Sequence, residues 1–209
     1  MKKRLTLSVL FCLILVSQAM AIPLSATDDA SVFSKQLTSN YGSHSLLYLG
    51  YTSTVGYQYS YLKFDLSDYS DISSAKLWLY DSSSGSPFAY PVYSAANNWD
   101  EGTVTYNNRP GYSGSSVVTT VGGVGWYSWD VTSFADTAVG GPLSLALISP
   151  YGVNSTNHNT FYSDEYTIAS FRPYLDVTGT APVPEPSSLL LLGTGLVGFV
   201  SRRLFKKTV

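Results

Sequence analysis

The sequence predicts an all-β protein, a jelly-roll β-sandwich flanked by an N-terminal signal helix and a C-terminal transmembrane helix. Three observations predict it. Short runs alternate apolar and polar residues with period two, Gly, Ser, Asn and Pro bound those runs, and the middle of the chain has no helical periodicity of useful length. A body of roughly 155 residues buries about two-thirds of its surface on folding, enough for a sandwich without disulfides.

The elements follow in chain order. Residues 1–21, MKKRLTLSVLFCLILVSQAMA, form a secretory signal peptide: a basic start (Lys2, Lys3, Arg4), an apolar stretch from Leu5 to Val16, and a small-residue site at Ala19-Met20-Ala21. The lone cysteine, Cys12, lies inside it, so removal of the signal leaves a cysteine-free body without thiol chemistry. Residues 22–180 form the β-domain. SYLKFDLS sets Leu62, Phe64 and Leu66 on one side and Tyr61, Lys63 and Asp65 on the other. SAKLWLYD groups Ala75, Leu77 and Leu79 and turns Lys76, Trp78 and Tyr80 the opposite way. Tyr127, Trp129 and Val131 share a face, as do Leu143, Leu145 and Leu147, and then Phe171, Pro173, Leu175 and Val177. A short helix fits Val131 to Ala138, capped by Asp130 or Thr132.

Charge narrows the function classes. Between Ile22 and Pro182 five Lys/Arg face thirteen Asp/Glu, a net of −8, which disfavours nucleic acid as a partner. His44 and His158 have no metal-ligand spacing, and no G-x-S-x-G elbow occurs. Asp100 with Glu101, or Asp164 with Glu165, has the composition of a glycosidase pair, but strand neighbours point to opposite faces, and surface acidity accounts for both. The expectation is a protein that is not an enzyme and has no cofactor. Asp28, Asp29 and the polar loop around Asn40 offer oxygens of the kind calcium takes, without EF-hand spacing, and a salt-bridge or capping role serves equally.

Aromatic residues favour binding. The chain has 17 Tyr and 4 Trp, more than one sandwich core readily hides. Sugar rings stack their C–H faces on such side chains. Trp78 and Tyr80 are the first glycan-binding candidates, and Tyr57, Tyr59 and Tyr61 form an alternating stripe; packing under a second layer is the competing reading of that stripe.

The runs ATDDASVFSKQLTSNYGSHSLLYLG, YLKFDLS, SSAKLWLY, NNWDEGTVTYNNRPG, GWYSWDVTSF and FRPYLDVT carry a resemblance. Over about Ala26 to Thr178 the chain resembles the DNRLRE family of extracellular jelly-roll domains, itself similar to a group of carbohydrate-binding modules. The motif residues are Trp99, Glu101, Thr105 and Pro110, then Arg172, Pro173 and Leu175, with Tyr106 where the family commonly has a tryptophan. Read from the residues themselves, the motif is mainly structural: Trp99 plugs a core edge, the Glu101 carboxylate accepts backbone N–H groups, and Pro110 shapes a turn.

Residues 181–209 close the chain. Ser187 to Ser201 spans roughly 22 Å as a helix against a hydrocarbon core of about 30 Å, so crossing needs Leu204 and Phe205 too, giving a transmembrane helix of about 187–205. Arg202, Arg203, Lys206 and Lys207 keep the tail cytoplasmic and the β-domain outside. Pro184-Glu185-Pro186, a Gly-containing apolar run and an Arg cluster together resemble a PEP-CTERM sorting signal of Gram-negative bacteria. That resemblance implies an exosortase-type membrane protease as partner, processing near the prolines, transient tethering at the inner membrane, and delivery to the cell surface or extracellular matrix in an exopolysaccharide context. The functional expectation is a non-catalytic exported protein that binds or organises exopolysaccharide; the alternative is a structural surface or biofilm-matrix protein with no specific glycan site.

Overall fold

Alternation from Ala75 onward makes Asp71–Asp81 the clearest strand: Ala75, Leu77 and Leu79 are buried, Lys76 is exposed and Trp78 and Tyr80 are half-buried, and Ile72 is buried across a shift of register against Thr178 and Gly179. The computed structural model describes residues 20–83, 85, 87–150 and 158–180. The strands are β1 (Met20–Ser25), β2 (Asp28–Phe33), β3 (Leu46–Thr52), β4 (Gly56–Asp65), β5 (Asp71–Asp81), β6 (Phe88–Ala95), β7 (Tyr112–Val121) and β8 (Gly125–Asp130). After helix α1 (Thr132–Thr137) come β9 (Pro142–Leu147), β10 (His158–Tyr162) and β11 (Tyr174–Thr180). Every pairing is antiparallel. The all-β expectation holds.

One layer runs β1–β11–β5–β8. At Asp81 the side of β5 occupied by β11 passes to β10, which pairs with β3 and leads into the second layer, β3–β4–β9–β6–β7, with β2 also on β4. The inner faces meet in one large apolar cluster that includes Leu77, Leu79, Trp129, Leu175, Phe64 and Leu145. Trp129 is 1% exposed and its indole N–H donates to the Tyr90 carbonyl at 2.9 Å, so this large ring is buried with its polar atom satisfied. Truncating one such residue, Leu77→Ala for example, leaves a cavity that costs about 2–5 kcal/mol.

The second layer departs from simple alternation. β4 and β9 are buried on both faces because the segment 96–111 after β6 folds over their outer side. Trp99 and Val104 from that segment pack on Tyr59, Tyr61, Val32 and Ala146 in a second apolar cluster. Two further expectations change. Phe171 does not share the inner face of β11: it ends a 3-10 turn, Ala169–Phe171, ahead of the buried Pro173, and its ring turns toward Tyr80 at 4.6 Å. The helix has Val131 rather than Asp130 or Thr132 at its N-cap, although the Asp130 carboxylate does accept the Thr132 N–H at 3.1 Å.

β1 begins at Met20 and pairs with β11 as far as Ser25, so Met20 and Ala21, the last two residues of the expected signal peptide, lie in the sheet. Residues 1–19 of the expected signal helix, the transmembrane helix at 187–205 and the sorting residues Pro184, Glu185, Pro186, Arg202 and Arg203 lie outside the described residues. Among the described residues no helix is long and apolar enough to cross a membrane.

Candidate functional site

The outward face of the β8–β5–β11 layer is aromatic. Because β5 alternates, Lys76, Trp78 and Tyr80 all point away from the core. Register then sets their neighbours: Trp78 lies between Ser128 and Tyr174, Lys76 lies between Asp130 and Asp176, and Tyr80 is opposite Trp126. Trp78 and Tyr174 stack with centroids 6.1 Å apart and planes 12° apart. Trp126 meets Tyr80 and Tyr174 edge-on, each at 5.3 Å. β10 and the following loop extend the surface, where Tyr162 stacks on Tyr80 at 5.7 Å and on Tyr166 at 3.6 Å.

Beside Tyr174 opens a cleft of about 530 Å³ whose walls include Ser25, Ser170, Arg172, Pro173 and Asp176. Flat aromatic faces therefore adjoin hydroxyl, guanidinium and carboxylate groups. This is the combination that stacks a sugar ring and hydrogen-bonds its hydroxyls. Burial, then the Asp176 charge, pushes the Tyr174 hydroxyl up, so it stays a neutral donor across ordinary pH.

The sequence candidates divide between two places. Trp78 and Tyr80 are together on this face. Tyr59 and Tyr61, expected as ligand-facing, are interior at 5% and 0% exposure and present no ring face to a ligand. The correction has a plain cause: the 96–111 segment covers their side of β4. Tyr57 is half-buried at the rim of that cluster, 5.1 Å from Tyr51 and remote from Trp78 in the sheet. Sequence reasoning missed Trp126 and Tyr174, although their alternation with Tyr127 and with Leu175 signals outward positions. Tyr162 alternates with the buried Phe161 on β10 and was missed too, whereas Tyr166 had no comparable signal, since the loop after β10 sets its placement.

Of the motif residues, Trp99, Thr105, Pro110 and Pro173 are packed or hydrogen-bonded within the fold. Trp99 is 8% exposed, its indole N–H donates to Ser144 Oγ at 3.0 Å, and Lys63 Nζ lies 4.6 Å from its ring. The Thr105 N–H and hydroxyl both donate to Asn108 Oδ1, at 2.6 and 2.8 Å. Pro110 and Pro173 are buried. Arg172 is exposed; its Nε donates to the Tyr166 carbonyl at 2.7 Å and its side chain walls the cleft.

Residues 21–179 match the family model of carbohydrate-binding module family 96. The chain belongs to that family. Residues 182–204 match the PEP-CTERM protein-sorting motif. No curated protein matches the chain. The family 96 match covers the whole span of the DNRLRE-type resemblance and both apolar clusters. The sorting motif begins two residues beyond the end of β11, so the family 96 module passes directly into its export tail.

The family 96 module holds a second constellation, and it is acidic. Asp29 at the start of β2 is 1% exposed; Asp164 and Glu165 in the loop after β10 are half-buried. One carboxylate oxygen of each lies within 4.8 Å of the others. Two sequence readings change here. Asp164 and Glu165 sit on a loop, where strand alternation does not apply, and their side chains meet in a partly buried cluster instead of forming surface acidity. Asp28 is paired with Lys63 at 3.3 Å and accepts the Glu101 N–H at 3.3 Å, while Asn40 clamps the carbonyls of Glu101 and Val104 at 2.6 and 2.7 Å. Neither of the two described clefts includes Asp29, Asp164 or Glu165.

Proposed function

We propose that this protein is an exported, non-catalytic module that binds polysaccharide through the outward aromatic face of β8, β5 and β11. One observation carries the reading: Trp78, Tyr174, Tyr80 and Trp126 form a continuous ring surface on adjacent strands, next to a polar cleft. A glycan strand lies along this face with its sugar C–H surfaces on Trp78 and Tyr174. Arg172, Asp176 and Ser170 take its hydroxyls. Membership of a carbohydrate-binding family supports the ligand class.

The sorting motif supports the itinerary. An apolar tail segment holds the precursor at the inner membrane, an exosortase-type protease processes it near Pro184 to Pro186, and the β-domain reaches the cell surface or matrix. There it organises exopolysaccharide. The Pro-Glu-Pro sequence suits cleavage, because proline has no backbone N–H to give a sheet or helix.

The test is affinity electrophoresis of the purified protein through gels carrying a panel of bacterial polysaccharides. Wild type is retarded by at least one, and Trp78→Ala and Tyr174→Ala run freely while keeping wild-type circular dichroism. Equal mobility of wild type in every gel points to a structural surface protein instead.

A further inference from the structure

Asp29 is enclosed among oxygens. Its Oδ2 accepts the Asp164 N–H at 2.8 Å, but its Oδ1 is buried with no partner. Asp164 Oδ1 and Glu165 Oε2 are likewise buried and unpartnered. Glu101 completes the ring: its Oε2 accepts the Asp29 N–H at 3.4 Å and its carboxyl contacts that of Glu165. A Cβ at position 42 would run into the Glu101 carbonyl and Cγ, so only Gly42 lets that loop settle here. Compensating cations are engaged elsewhere. Lys63 binds Asp28 and the Trp99 carbonyl, and Arg172, which acts on Asp164 through space, donates to the Tyr166 carbonyl. Buried ionised oxygens without donors are costly, and among the described residues no donor reaches these three.

We propose that Asp29, Asp164 and Glu165, with Glu101 at the rim, bind one calcium ion that fastens β2, the loop after Trp99 and the loop after β10 to one another. The donor set is all oxygen and anionic, with neither sulfur nor imidazole in the group, which selects a hard cation. Calcium accepts such ligands from irregular loops, whereas magnesium demands near-ideal octahedral geometry. Without a cation the cluster favours protons: burial first and then the neighbouring carboxyls push Glu101 up to about 8 and Asp164 up to about 7, and raise Asp29 well above its ordinary value. The ion-bound loop carries Tyr166, whose ring stacks on Tyr162, so calcium also steadies one end of the aromatic face. That last consequence rests on the glycan reading; the ion site does not.

The test takes the full chain purified in detergent, stripped with EDTA, desalted and titrated with calcium chloride. Calorimetry is expected to show one calcium per chain, with Kd at or below about 10⁻³ M. The melting temperature, followed by tryptophan fluorescence, rises about 5–10 °C at a hundredfold excess over Kd. Both responses vanish in Asp29→Asn and in the more exposed variant Glu165→Gln, and magnesium at equal concentration moves the melt less than half as far. If Asp29→Asn fails to fold, Glu165→Gln and the wild-type stoichiometry still decide. No saturable uptake by wild type at about 10 mM calcium, the outcome expected if the cluster simply shares protons, overturns the proposal. So does uptake that persists in both variants, or an equal response to magnesium.

Discussion

Asp81 and Asp29 are buried to the same degree, at 0% and 1% exposure, yet their surroundings differ. Asp81 is fully served. Its Oδ1 accepts the Ser83 N–H at 2.8 Å and the Ser83 hydroxyl at 2.6 Å, and its Oδ2 accepts Asn159 Nδ2–H at 2.6 Å. Asn159 in turn accepts the Tyr90 hydroxyl at 2.9 Å, so the network closes on itself deep in the core. Asp29 has one donor and is ringed by Asp164, Glu165 and Glu101. The difference shows that this fold can supply donors to a buried carboxylate where the role is structural. Where it supplies acceptors instead, the missing partner comes from outside the chain.

The largest effect should come from breaking the satisfied side. Asp81→Ala orphans the Asn159 amide and the Ser83 donors and should cost about 3–5 kcal/mol, read as a drop in urea midpoint, with or without calcium. A midpoint equal to wild type would show that the network is not structural. Next comes the unsatisfied side. Removing calcium from wild type should cost about 2–3 kcal/mol relative to a hundredfold excess over Kd. In EDTA, Asp29→Asn should be at least as stable as wild type because it removes the cost of burying an ionisable carboxyl among other carboxyls. If Asp29→Asn in EDTA instead falls as far as Asp81→Ala, the contrast between the two carboxylates collapses.

A third prediction joins the cluster to the aromatic face. Trp78→Ala should weaken polysaccharide binding about tenfold or more, the scale of losing a tryptophan anchor. EDTA should weaken it less, because calcium reaches the rings only through Tyr166. An EDTA effect exceeding that of Trp78→Ala would move the glycan site toward the acidic loops. The smallest prediction concerns His158, beside the Asp81 network. Burial lowers its pKa and the Asp81 charge partly opposes this, so the fold prefers the neutral imidazole. Stability contributed by that preference is full above the unfolded value of about 6.5 and declines as pH falls from there through the lowered folded value. An NMR titration should place the His158 midpoint below 6.5, and a midpoint at or above it would refute the burial argument.

The sequence displayed the first layer well. In β5 the inner Leu77 and Leu79 and outer Trp78 and Tyr80 follow directly from period two, since one face is core and the other outer surface. It displayed the second layer poorly. Alternation across Tyr57, Tyr59 and Tyr61 says which residues share a face, but not that the 96–111 segment will cover it. The acidic cluster was less legible still. Asp29, Glu101 and Asp164 come from three segments far apart in the chain, and only folding brings their oxygens together. Glu101 was visible through the Trp99 motif, and its backbone-accepting role was legible there, but its neighbours were not.

The most direct measurement of the central claim is a tryptophan-fluorescence titration of the purified protein with the polysaccharide that retards it most. Trp78 and Trp126 lie on the proposed binding face, whereas Trp99 and Trp129 are buried. The account predicts a saturable emission change that disappears in Trp78→Ala and survives in Tyr57→Ala. A titration curve unchanged by Trp78→Ala, or one abolished by Tyr57→Ala alone, would contradict it.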